Sequence, residues 1–156
     1  MKITELINKN LITLDLKSKD KASVIEELAT IMNDDQRLSD LESFIEAIKD
    51  REAQGSTGVG FGVAIPHAKS KSVAKPGLVF GRSDKPINYE SHEEDEADLF
   101  FMIAAPEGEN NLHLQTLAKL SRKLIDEEFR DTLRQAKSKD DVLSALKEID
   151  GKEDQS

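Results

Sequence analysis

Residues 98–106, DLFFMIAAP, form an almost unbroken apolar run bounded by an aspartate and a proline. Lacking the apolar-polar alternation of a strand with one wet face, it reads as a strand covered on both faces. A doubly covered strand needs packing layers above and below it, and the rest of the chain supplies them. Residues 11–16 (LITLDL), 63–65 (VAI) and 77–81 (GLVFG) read as further strands. Apolar residues recur at helical spacing over residues 20–33 (Ile25, Leu28, Ala29, Met32). They do so again after Ser39, where Ser39 and Glu42 fit a capping box and Leu41, Phe44, Ile45 and Ile48 make the stripe. Gly55 ends that helix. Past Pro106, Leu117, Leu120 and Leu124 mark one helix and Phe129, Leu133 and Ala136 a second. Val142, Ala145, Leu146 and Ile149 mark a third, begun by Ser138 and Asp141. The expected fold class is α/β: a single domain, residues 1–150, with a central mixed β-sheet flanked by helices on both faces, and a frayed tail at residues 151–156.

The charge balance narrows the function. At 156 residues with a formal charge of -9, the chain lacks the lysine and arginine surplus from which nucleic-acid binding draws its affinity, so no nucleic acid is expected as partner. A carboxylate surplus suits docking to a basic protein, but on charge alone a solvated acidic surface is the favoured reading. The chain has no cysteine, its first residues (MKITELINKN) lack the apolar centre of a secretory signal, and no apolar run reaches membrane-spanning length. A cytoplasmic setting is expected. The segment SDKPINYESHEEDEAD, residues 83–98, reads as an exposed acidic connection with one short strand near residues 87–89, and its His92 reads as solvated.

The chemistry concentrates in STGVGFGVAIPHAKS, residues 56–70. A neutral imidazole keeps one ring nitrogen with a free lone pair, so His67 is a candidate phosphoryl acceptor. Pro66 fixes its own φ and holds Ile65 extended, which sets the approach to the ring by covalent geometry. Gly58, Gly60 and Gly62 would let backbone amides close on a phosphate. A Pro-His pair also simply closes strands. Arg51, at the end of the capped helix, could bring a fork of donors to a phosphoryl oxygen or serve only the helix dipole. His113, in the first turn of a helix, could donate to a phosphate on His67 or bond locally. The three histidines lack zinc-motif spacing, Val63 spoils a G-x-G-x-x-G match and no P-loop occurs, so no metal and no cofactor are expected.

With REAQGSTGVGFGVAIPHAK and FMIAAPEGENNLHLQTLAKLS, the chain resembles the type-two IIA components of the bacterial phosphotransferase system, closest to the fructose type. The resemblance implies that His67 is the phosphorylated histidine, with Arg51 and His113 steadying the group and Thr57, Gly58, Gly60 and Gly62 in the surrounding pocket. It implies the phosphocarrier HPr as donor and a cysteine of a IIB component as acceptor, with a membrane transporter component downstream on separate polypeptides. Two other readings stay open: a nitrogen-related regulatory protein that binds partners according to the phosphorylation of His67, and a scaffold with no phosphorylation at all.

Overall fold

The computed structural model describes residues 2–89, 96–108 and 111–154. Their strands make one six-stranded mixed sheet in the order β1 (Ile12–Thr13), β5 (Gly77–Asn88), β6 (Glu96–Pro106), β3 (Val63–Ala64) and β2 (Gly58–Gly60), with β4 (His67–Ser70) also pairing β6. The apolar run is β6, and none of residues 99–105 is more than 1% exposed. It pairs antiparallel with β5 on one side and parallel with β3 and then β4 on the other. Pro66, between β3 and β4, has no N–H to give, yet its carbonyl accepts Ile103 N–H at 2.9 Å, so pairing to β6 carries across the proline.

Among the described residues five α-helices cover the sheet: α1 (Lys21–Asp34), α2 (Leu41–Ala53), α3 (Leu112–Leu124), α4 (Glu127–Gln135) and α5 (Lys139–Asp154). Adjacent residues of β5 show that both faces are covered. A Cβ added at Gly81 would lie 2.8 Å from Leu28 of α1. Arg82 points the opposite way, its Nη1 donating to the carbonyls of Leu133, Arg134 and Ala136 at 2.9, 3.1 and 2.7 Å, which satisfies the open end of α4. In α5, Asp150 accepts the N–H groups of Ile3 and Thr4 at 2.7 and 3.0 Å and so fastens the start of the chain to its last helix.

Several details differ from the sequence expectations. The first strand keeps only two residues. Asp40, not Ser39, caps α2, its carboxylate accepting Ser43 N–H at 3.2 Å and the Ser43 hydroxyl at 2.8 Å. The Ser39 N–H instead donates to the Ser72 carbonyl at 2.7 Å, beside the Leu38–Val73 bridge, so Ser39 belongs to the connection before the helix and the cap falls one residue on. Strand β5 runs through to Asn88 with a register shift between Arg82 and Ile87, and Ile87 and Tyr89 are buried rather than exposed. Asp98 is not simply solvated: Arg134 of α4 grips it through Nε and Nη2 at 2.9 and 3.0 Å. Helix α5 continues through Asp154, beyond the expected start of fraying. His92 lies outside the described residues.

Candidate active site

At the carboxyl end of β6, α2 and α3 flank strand β4, and a cleft of about 380 Å³ opens between them. Ala47, Asp50, Arg51 and Gln54 line it from α2, His67, Ala68 and Lys69 from β4, and His113 and Leu114 from α3. The α2 residues follow the i, i+3, i+4, i+7 spacing of one helix face. Residues 67, 51 and 113, separated along the sequence, thus share one cavity.

His67 is the first residue of β4, not the last of the strand before Pro66, and is 6% exposed. Its Nδ1 lies 2.8 Å from the Ile65 carbonyl oxygen. A carbonyl can only accept, so Nδ1 carries the hydrogen and Nε2 keeps the lone pair. Ile65, which supplies that carbonyl, is itself tied to the hairpin, its N–H donating to the Thr57 carbonyl at 3.0 Å.

The His113 ring centre stands 6.2 Å from that of His67. Burial, then repulsion from His67 and Lys69, holds its pKa below the ordinary 6.5. Its Nδ1 is buried without a hydrogen-bond partner among the described residues. An orphaned acceptor is tolerated better than an orphaned N–H, so the neutral ring carries its hydrogen on Nε2, and protonation would put a second hydrogen where nothing receives it. The groups around it in the cleft are His67, Lys69, Asp50 and Arg51. The sign of the pH effect follows: the unfolded chain binds a proton at His113 that the folded chain refuses. Stability therefore rises with pH from the lowered pKa up to about 6.5 and is lost on acidification through that window. Urea unfolding at several pH values is expected to show a shallower acid loss in His113→Gln than in the unsubstituted chain.

Arg51 reaches the cleft from the last turn of α2, with Nη1 donating to the Gly55 carbonyl at 2.8 Å. That bond occupies one arm of an exposed guanidinium. Thr57, Gly58, Gly60 and Gly62, expected as a phosphate cradle, are not among the residues lining the cleft. They form the β2–β3 hairpin instead. Gly60, Phe61 and Gly62 turn it with φ of 86, 60 and 78°, and a Cβ at Gly62 would sit 2.6 Å from Arg134 Nη2 and 2.8 Å from the Asp98 carboxylate. Thr57 is buried with its hydroxyl and N–H on Glu52.

A family model described as "Phosphoenolpyruvate-dependent sugar phosphotransferase system, EIIA 2" matches residues 5–149. The chain belongs to that family. Membership makes this EIIA chain a phosphoryl-transferring component of such a system. It is 47% identical over 150 residues to the fructose-specific EIIABC component of Bacillus subtilis, covering 96% of this chain but 24% of that much longer relative. To the fructose-specific EIIA component of Haloferax volcanii it is 39% identical over 89% of this chain and 90% of the other. The crystal structure of the nitrogen regulatory protein IIA-Ntr from Neisseria meningitidis superposes with a TM-score of 0.84 at 29% identity, covering 92% of this chain and 98% of that one. The crystal structure of IIA mannitol from Escherichia coli gives 0.78 at 28%, over 90% and 98%.

Sequence reasoning passed over Asp50, Gln54, Lys69 and Leu114 in this EIIA cleft. Gln54 stands three residues from Arg51 and Asp50 four before Gln54, so helical spacing would have found these two. Lys69, two residues after His67, and Leu114, next to His113, had no signal beyond nearness to a histidine.

Proposed function

We propose that this chain is the cytoplasmic phosphocarrier of a fructose-type sugar uptake system, in which His67 takes a phosphoryl group from phosphorylated HPr and passes it to a cysteine of the IIB component. The observation that carries the reading is the 2.8 Å contact of His67 Nδ1 with the Ile65 carbonyl, inside a cleft that also holds Arg51 and His113. That contact leaves the Nε2 lone pair as the nucleophile. In the first step a bond forms from Nε2 to phosphorus as the donor's N–P bond breaks, its electron pair returning to the donor imidazole. The hydrogen stays on Nδ1, donated to the Ile65 carbonyl, throughout. In the second step a cysteine thiolate forms the S–P bond and Nε2 recovers its pair. The transferring group is nearly a free metaphosphate in such reactions, so the protein's work is positioning and charge stabilisation. Arg51 and His113 Nε2–H supply donors to the equatorial oxygens.

Purified phosphorylated HPr carrying a radioactive phosphoryl group, this chain and a IIB protein test the scheme in sequence. Acid-labile label is expected first on this chain and then on IIB, with ¹⁵N NMR locating it on Nε2 of His67. Absence of label on the chain ends the proposal.

Leu114 is 49% exposed on the cleft rim, where a docking phosphocarrier would cover it. Leu114→Asp is expected to raise KM for phosphorylated HPr about tenfold while leaving kcat within about twofold, since it sits among docking contacts rather than on the reacting atoms. Steady-state transfer over a range of donor concentrations reads both.

A second reading has its own support. The chain is 36% identical to a Bradyrhizobium diazoefficiens protein named as a nitrogen regulatory protein, across 94% of this chain and 95% of that one. Under it, His67 is phosphorylated in the same way but no IIB protein accepts the group. The second transfer of the same experiment separates the two.

A further inference from the structure

Glu52 is a buried acidic side chain that the transfer chemistry does not touch. It follows Arg51 in the last turn of α2, with its side chain 5% exposed. Its carboxyl oxygens accept Thr57 N–H at 2.9 Å and the Thr57 hydroxyl at 2.7 and 2.8 Å. Lys21 Nζ of α1 stands 3.7 Å away. Thr57 is itself 5% exposed, and its single hydroxyl hydrogen goes to Glu52, so in the 3.3 Å contact with Tyr89 the phenol is the donor. A buried carboxyl group is costly unless its oxygens are met, and here several donors converge on it.

The hydrogen bonds continue from Thr57 to the reactive ring. Thr57 carbonyl accepts Ile65 N–H at 3.0 Å, and Ile65 carbonyl accepts His67 Nδ1–H at 2.8 Å. Three links thus join Glu52 to the imidazole. In the other direction Glu52 is rigidly continuous with Arg51, whose guanidinium closes the same turn on Gly55. We infer that Glu52 is a positioning residue for phosphoryl transfer: by fastening the end of α2 to Thr57 it aims the Ile65 carbonyl, and so fixes the tautomer and direction of the His67 ring relative to Arg51. This rests on His67 being the acceptor and names what holds it ready. A ring free to exchange tautomers or to tilt presents its lone pair less of the time, and misplacement by a fraction of an ångström lowers the rate without weakening donor docking.

Glu52→Gln keeps the shape but replaces one accepting oxygen with an NH₂ group that cannot receive Thr57. Thr57→Val removes the hydroxyl and leaves the N–H, and Thr57→Ser restores the hydroxyl. With ¹⁵N-labelled imidazole and no phosphoryl group present, NMR of the unsubstituted chain is expected to show His67 as the Nδ1–H form. Glu52→Gln and Thr57→Val are expected to shift it toward a mixture of the two tautomers. Transfer from phosphorylated HPr is expected to lose about tenfold in kcat with KM held within about twofold, and Thr57→Ser to recover both readouts. If Glu52→Gln and Thr57→Val lower the melting temperature but keep the tautomer and kcat, Glu52 is only a fastener of the helix end and the inference is overturned. Because the tautomer is read without any phosphoryl group, this result stands apart from the acceptor assignment, which fails separately if His67→Ala still takes label.

Discussion

His67→Ala is expected to accept no acid-labile phosphoryl group from phosphorylated HPr, a loss of at least about a thousandfold against the unsubstituted chain, as removal of a nucleophile gives elsewhere. The cleft offers no substitute. Of the other side chains lining it, Asp50 would give an acyl phosphate, Arg51 and Gln54 are not nucleophiles, and Lys69 bears an ammonium. His113 is the closest rival, but its buried Nδ1 carries the lone pair and its Nε2 the hydrogen, so it is built to donate. Arg51→Ala and His113→Ala remove donors to the phosphoryl oxygens and leave the nucleophile, so each is expected to slow transfer about a hundredfold rather than abolish it. The measurement is single-turnover labelling followed by peptide mapping. Label on His67→Ala at any residue would sink the assignment, and unchanged rates in both donor variants would show that the cleft stabilises charge by other means.

How much of this was legible beforehand varies with the kind of interaction. The run at residues 99–105 announced a doubly covered strand because burial on both faces leaves no room for polar side chains. The three cleft residues were legible as candidates for chemistry, an imidazole able to accept a phosphoryl group and an arginine and a second histidine able to donate to it, but each also had an ordinary structural reading. Their meeting in one cavity was carried by family resemblance and not by spacing. Strand β4 was hidden because HAKS has no apolar alternation and follows a proline. What makes it a strand is backbone pairing to β6, to which the Pro66 carbonyl contributes. The middle of β5 was hidden in the same way, because RSDKP carries charges on an exposed stretch, whereas the short strand expected near residues 87–89 is its end, paired to β6 through Ile87 and Asn88. The glycines of residues 58–62 signalled unusual backbone, and the positive φ values of Gly60 and Gly62 belong to the hairpin turn, apart from the residues that line the cleft. Glu52 left no trace in the sequence, because its partners, the N–H and hydroxyl of Thr57, lie five residues on across the turn that ends α2, at no helical or strand spacing.

The largest stability effect is expected at the strand that organises both the sheet and the cleft. Phe101 in β6 is fully buried, pairs with Phe80 of β5, and packs its ring 5.1 Å from that of Phe80. Its side chain shares a face with Leu99, which lies opposite Arg82, and Arg82 reaches the end of α4. The same alternation puts Ile103 on that face, and His67 is the parallel neighbour of Ile103. The aromatic pair is therefore part of the layer on which α3 and the His67 ring rest. Phe101→Ala removes a large, fully buried ring and its contact with Phe80, and should destabilise by about 3–5 kcal/mol. That is a large share of the roughly 5–15 kcal/mol that holds a typical domain together, and should lower the melting temperature by about 10 °C. Phe101→Leu keeps most of the volume and should cost only about 1–1.5 kcal/mol. The hydrogen bonds from β6 to Pro66 and β4 are made by backbone, so the folded fraction of Phe101→Ala should keep the Nδ1–H form of His67. Urea unfolding with NMR of the imidazole separates the two effects. A loss below about 1 kcal/mol in the alanine variant would mean that the aromatic layer is not what holds β5 and β6 to the helices.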